Sequence, residues 1–304
     1  MDTRNCKSFY RVFVTVILLI SVFAQAEFIY VSCQDGTIQK FDLNGNGSVF
    51  ASGLDSPHGL AFDTSGNLYV VNDVESDTLE EHAATIEMFN PSGGRSTFAA
   101  INYSNLSWWQ PLGLAFRNGD LYALISRDDP TAVLKFDSSG NSSLFSEGVG
   151  GIGGIDLAFD SSGNLYMSNI EGQIFKFDSI GNETLVASVS SLWALGIDSS
   201  DNLYATIDAT IGTILKFDSS GGYTIFASGQ FRPYDIAFDG AGNLYMTDYY
   251  NGTILIFDPS GESAVFASGL NGPGFIMIIP EPASACLVLI GLGMIRFRNK
   301  KLKK

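Results

Sequence analysis

Apolar residues in this chain come in short runs of strand length, each bounded by clusters of Asp, Ser, Gly and Asn. Such clusters make tight turns, because Asp and Asn bond their own backbone and Gly takes positive φ. The runs repeat. Gly59-Leu-Ala-Phe-Asp-Thr-Ser-Gly-Asn-Leu-Tyr69 returns with small changes at Gly113 to Tyr122, Asp156 to Tyr166, Ala194 to Tyr204 and Asp235 to Tyr245. Half a unit later comes Lys40-Phe-Asp42, repeated at Lys135, Lys176 and Lys216, with the variants Met88-Phe-Asn90 and Ile256-Phe-Asp258. Val49-Phe-Ala-Ser-Gly53 closes the unit and recurs at Ile225 to Gly229 and Val265 to Gly269. A period of about forty residues marks a solenoid, an array or a propeller.

Each unit holds four strand-length runs joined by hairpin turns, which predicts one four-stranded antiparallel sheet per repeat. Runs such as Leu157-Ala-Phe159 and Ile236-Ala-Phe238 are apolar at consecutive positions, so both faces of those strands are expected to be buried. Sheets stacked radially against their neighbours, as propeller blades, meet that demand. Five complete units begin at Pro57, Pro111, Gly154, Ala194 and Pro233, while the chain opens with only three strands, Phe28 to Ser32, Thr37 to Asp42 and Gly47 to Ser52. Ser268 to Ile278 aligns without a gap with Ser52 to Phe62, which predicts that the last strand completes the first blade. The expected fold is all-β, a six-bladed β-propeller of four-stranded antiparallel blades. Its closure by both termini removes exposed sheet edges.

The Pro-x-Gly-Leu-Ala-Phe-Asp, Gly-Asn-Leu-Tyr and Ile-x-Lys-Phe-Asp signatures resemble NHL-type repeats and their six-bladed relatives, the regucalcin and gluconolactonase-like and virginiamycin B lyase-like propellers. The resemblance covers nearly everything from Glu27 to Ile279. It implies a fold more than an activity, since the recurring residues are turn and core residues.

Residues 1–26 carry Arg4, Lys7 and Arg11, the apolar run Val12 to Phe23 and then Ala24-Gln-Ala26. That arrangement predicts a helical secretory signal cut between Ala26 and Glu27. An uncleaved anchor is the rival reading, but the run falls short of the roughly 20 residues a span needs. At the other end Pro280, Glu281 and Pro282 precede the apolar segment Ala283 to Ile295 and a basic cluster from Arg296 to Lys304. This tail, residues 280–304, resembles the PEP-CTERM sorting signal of Gram-negative bacteria. The resemblance implies a helical segment held transiently in the membrane, recognition by an exosortase-type enzyme and removal near the Pro-Glu-Pro motif. It also implies delivery to the cell envelope, cell surface or exopolysaccharide matrix. A plain tail anchor is the alternative. The propeller then occupies residues 27–279.

Charge agrees with export. The chain has 32 acidic against 17 basic residues, a formal net charge of −15, and much of its basic charge lies in the two terminal segments. Duplex nucleic acid and anionic lipid surfaces would be repelled by so acidic a domain. Of the three cysteines, Cys6 and Cys286 fall in those segments and Cys33 alone in the propeller, so no disulfide is expected there. The ring is expected to hold by packing, as a monomer.

In a propeller the links between second and third strands, and those between blades, emerge on one face. The longest insertion, Asp73 to Thr85, and the longest interblade link, Asn102 to Gln110, are expected there. Trp108, Trp109, Trp193, His58, Arg232, Tyr234, Tyr249 and Tyr250 fall on the same face. Aromatic rings mixed with hydrogen-bonding groups make platforms for sugar rings. Trp108, Trp109, Trp193, Arg232, Tyr234 and His58 are therefore the candidate ligand residues, for a glycan or exopolysaccharide bound without catalysis. The alternative is that the tryptophans seal the channel mouth.

The gluconolactonase-like relatives imply another chemistry, a divalent metal held over the channel by Glu, Asn and Asp. At the corresponding positions Asp156 with Asn169, and Asp235 with Asp248, offer oxygen donors suited to calcium or magnesium. The implied glutamate is absent and half the positions are apolar or glycine. No cofactor is the first expectation, and a metal-dependent lactonase is the alternative function. The lyase relatives rely on histidine, and this chain has only His58 and His82. Runs such as Asp160 to Asn164 lack the spacing and terminal Glu of an EF-hand and are read as hairpin turns. Gly148 to Gly154 has no following Lys-Ser or Lys-Thr, so no phosphate loop is expected.

Overall fold

The computed structural model describes residues 27–74, 82–103, 113–125, 131–147, 153–207, 209, 211–229 and 231–280. In it the apolar runs form 24 strands arranged as six four-stranded antiparallel sheets, the blades of a propeller. Blades 2 to 6 follow the chain outward from inner strands Ser56–Phe62, Leu114–Arg117, Gly154–Phe159, Leu192–Ile197 and Pro233–Phe238. Blade 1 takes its inner strand, Pro273–Pro280, from the far end of the chain and sets it beside Glu27–Cys33, Thr37–Asp42 and Gly47–Ala51. The closure expected from the gapless alignment is thus present. Residues Ile29–Ile279 form one compact unit. The expected signal with its cut site at Ala26, the tail from Glu281 and Pro282 onward, and both Trp108 and Trp109 lie outside the described residues.

Two boundaries differ from expectation. Blade 5 begins at Leu192, before Ala194, because a bulge lets Leu192 pair with Ile207. The insertion expected from Asp73 to Thr85 is partly strand: Asp73 pairs with Ala84, Val74 with Ala83, and His82 with Tyr103. Continued ladder bonds extend the strands of blade 2 into that insertion and into the link that follows it.

The repeated signatures meet in space. The signature tyrosine of a second strand lies across from the signature lysine of the third in blades 3, 4 and 5, Tyr122 from Lys135, Tyr166 from Lys176 and Tyr204 from Lys216, while Tyr69 and Tyr245 face Met88 and Ile256. The Lys216 ammonium sits 5.2 Å above the Tyr204 ring, and the Tyr204 hydroxyl donates to Asp198 at 3.3 Å. The same ring packs between Phe226 of its own outer strand and Phe238 of the next inner strand, at 5.4 and 4.8 Å. Tyr30, Tyr69 and Tyr122 repeat that packing, so an aromatic wedge ties each of these blades to its neighbour.

The Asp-led turns close hairpins on the face opposite the interblade links. In Asp160 to Asn164, Asp160 Oδ1 accepts the Asn164 N–H at 2.8 Å and Oδ2 accepts the Asn164 amide at 2.6 Å. Asp63, Asp178 and Asp239 do the same with Asn67, Asn182 and Asn243. The carboxylates serve the turn, as the hairpin reading expects.

Candidate binding site

The inner strands of blades 2, 4, 5 and 6 break register near their starts, between Pro57 and Leu60, Gly154 and Asp156, Leu192 and Leu195, and Pro233 and Ile236. A bulge re-aims side chains. His58, Trp193 and Tyr234 stand on three of these bulges and line one cavity of about 340 Å³ at the channel mouth. Arg232, Tyr249, Tyr250 and Phe275 line it too. The structure therefore brings together His58, Trp193, Arg232 and Tyr234 of the sequence candidates.

The walls are a connected run of rings. Trp193 and Tyr234 lie 5.8 Å apart, Tyr234 and Tyr249 stack at 5.6 Å, and Tyr249 meets Tyr250 edge-on at 5.3 Å. The Arg232 guanidinium caps the run, 4.6 Å above the ring of Tyr250, a residue that is 70% exposed. On the other side Phe275 meets Tyr234 at 5.6 Å and His58 at 6.4 Å. Ser56 shares a hydrogen bond with His58 Nε2 at 3.2 Å, adding polar edges. Burial and the charge of Asp235 push the Tyr234 phenol upward, so it stays a neutral donor. Burial pushes the Cys33 thiol up to about 12, which removes it as a nucleophile at neutral pH.

A layer of hydroxyls holds the bulged strands in place. Ser168 donates to the Trp193 carbonyl of the next blade at 2.7 Å, and Thr247 donates to the Gly274 carbonyl at 2.6 Å. Thr206 and Ser32 accept the N–H groups of Ala194 and Phe275 at 2.9 and 3.0 Å. These residues fix the backbone beneath the cup, and sequence reasoning did not single them out. Their signal is a Ser or Thr at the same second-strand position in four repeats, where the other two have Val71 and Leu124. Phe275 was also missed as a lining residue. It takes the inner-strand position that Gly59, Gly113 and Ala194 hold elsewhere.

The four candidate metal donors are engaged otherwise. Asp156 accepts the N–H of Leu157 at 2.8 Å and, from the next blade, that of Leu195 at 2.9 Å. Asp235 accepts Ile236 and, across to blade 1, Ile276, both at 2.8 Å. Asn169 accepts the Gln173 N–H at 2.8 Å and donates to the Gln173 side chain at 3.0 Å. Asp248 accepts the Asn251 amide at 2.7 Å and the Arg232 N–H at 3.2 Å. Asn169 and Asp248 brace loops, whereas Asp156 and Asp235 join blades. Among the described residues no group of three or more His, Cys, Asp or Glu is placed to hold a metal. This donor set does not fit a divalent cation.

Asp156 and Asp235 also line a second cavity of about 300 Å³, the channel between the inner strands, whose other lining residues are apolar or glycine. Burial raises the Asp156 carboxyl to about 6. Asp235 is raised well above the carboxylate range by burial and then by the charge of Asp156. Phe275 lines both cavities and so separates the cup from the channel.

No family model matches the sequence, and comparison with curated proteins finds no match. Solved structures do match. A chain of a nidogen/laminin complex superposes with a TM-score of 0.67 at 16% identity, over 83% of this chain and 98% of that one. PQQ-bound aldose sugar dehydrogenase from Streptomyces coelicolor gives 0.59 at 15%, over 80% and 86%. Virginiamycin B lyase from Staphylococcus aureus gives 0.57 at 13%, over 84% and 88%. The likeness is one of fold. At these identities the six-bladed propeller is shared, and neither binding nor catalysis travels with it.

Proposed function

We propose that this chain is an exported, surface- or matrix-sorted binding or scaffold protein that holds glycan or exopolysaccharide in the aromatic cup, without catalysis. The observation that carries the reading is the run Trp193, Tyr234, Tyr249 and Tyr250 with Arg232, His58 and Ser56 at its edges. Ring faces stack on the apolar faces of sugars while edge groups bond hydroxyls. The leader of residues 1–26 and the tail of residues 280–304 supply the route: export, transient membrane anchorage and handling by an exosortase-type partner. The alternative, a metal-dependent lactonase, has weaker support, because the channel carboxylates accept main-chain N–H groups and lie beyond Phe275.

Affinity electrophoresis through gels containing bacterial exopolysaccharide tests the reading. Retardation of the native protein is expected, and the Trp109→Ala, Trp193→Ala double variant should bind more weakly by about twofold to tenfold per lost stacking contact. Unchanged retardation in that variant would count against the cup.

A further inference from the structure

The cup joins three electrostatic features. Its walls present five aromatic rings, Trp193, Tyr234, Tyr249, Tyr250 and Phe275, each linked to the next within 5.8 Å. The faces of such rings are electron-rich and attract cations. One face already holds a cation, since the Arg232 guanidinium lies 4.6 Å above Tyr250. Among the described lining residues none is Asp or Glu, and Asp156 and Asp235 line the separate channel behind Phe275. The whole chain carries a formal charge of −15, so its field draws positive ligands and repels negative ones.

We infer that the sugar held in the cup carries a free ammonium group, as in a polymer of amino sugars without N-acetyl caps. The inference rests on the glycan reading and narrows it to one class. An ammonium at the ring carbon of a stacked sugar would face the electron-rich walls, with Ser56, Gln34 and the tyrosine hydroxyls within the same cavity as acceptors. A uronate would meet the same ring faces with the opposite sign, and among the lining residues Arg232 alone is a permanent cation. A neutral sugar would stack without using the charge pattern.

The full-length chain in non-ionic detergent, titrated with a glucosamine oligomer and with the same oligomer fully N-acetylated, isolates the ammonium. The free amine should bind about threefold to thirtyfold more tightly, the range of one cation–π contact. Trp193→Ala leaves the net charge unchanged and should abolish most of that preference, which separates cup binding from general attraction to an acidic protein. Equal or tighter binding of the N-acetylated oligomer, or tighter binding of a polyuronate, would overturn the inference and leave the glycan reading standing. A preference that survives in Trp193→Ala and Tyr249→Ala would also overturn it. No carbohydrate bound in any arm would defeat the glycan reading itself and this inference with it.

Discussion

Asp156 and Asp235 each join two blades through one carboxylate, and that geometry was only half legible. The sequence shows two acids at inner-strand positions where other repeats have glycine, alanine or phenylalanine. It does not show that each accepts an N–H from the residue one repeat onward, Leu195 or Ile276, because that partner is a backbone group without residue identity. The titratable groups facing this pair are each other and the neutral phenol of neighbouring Tyr234. Both folded carboxyls are raised, Asp156 from the usual 3.8 to about 6, so the folded state holds protons that the unfolded state has released. Stability from this pair is present at low pH and is lost as pH rises through the folded values. The exposed turn aspartates act oppositely. Asp42, Asp137 and Asp178 are held low by the side-chain amides of Asn46, Asn141 and Asn182, and lose their contribution as pH falls below the carboxylate range. Stability should therefore peak in the mildly acidic window between those limits. Urea unfolding at about pH 5 should show more stability than at about pH 7.5, by on the order of 1 kcal/mol from Asp156 alone. Asp156→Asn should flatten that difference while lowering stability at pH 5, since its amide nitrogen cannot accept the second N–H. A maximum at neutral pH, or an unchanged slope in the variant, would contradict this account.

At the scale of elements, hairpins and blade strands were read well because turn chemistry is local. Asp, Asn and Gly at fixed offsets determine a turn with no help from the rest of the fold. What the local code hides is why some turn glycines matter more than others. Gly181, in the turn Asp178 to Asn182, has φ of +85°, and a Cβ there would fall 2.4 Å from the Phe145 carbonyl of the preceding blade. Gly53 has φ of +75° with nothing within 4 Å of its Cβ position. Left-handed strain alone should make Gly53→Ala cost about 1–2 kcal/mol. Gly181→Ala meets that strain plus overpacking against backbone, a further cost of about 1–3 kcal/mol. Urea midpoints of the two variants compare the terms directly, and equal losses would show that the close approach between blades carries no weight. The same contrast explains the extended blade 2. Its insertion has no repeat to align with, and only the ladder from Asp73 to Ala84 reveals that part of it continues the sheet.

For the whole molecule, the cup lies on the seam where the ring closes. Gly272, Gly274 and Phe275 come from the C-terminal segment, Ser32, Cys33 and Gln34 from the first blade, and Arg232 to Tyr234 from the last. The Gln34 N–H bonds the Asn271 carbonyl at 3.0 Å, Phe275 N–H bonds Ser32, and Asp235 accepts the Ile276 N–H, so the first and last blades both depend on one terminal segment. Closure was legible from the alignment of Ser268 to Ile278 with Ser52 to Phe62, but its link to the site was not, since alignment says nothing of which side chains share a cavity. Phe275 and Ile276 are 5% and 3% exposed. Losing their burial alone would remove about 1.5–3 kcal/mol each, a large share of the roughly 5–15 kcal/mol that holds a typical domain together. A chain ending at Ile279 keeps these contacts and should unfold cooperatively, whereas one ending at Asn271 should lose cooperative unfolding and sugar binding together. Circular dichroism melts with parallel binding measurements on the two truncations would decide it. If the shorter chain melts cooperatively and still binds, the seam does not build the cup, and the site must be held by blades 2, 5 and 6 alone.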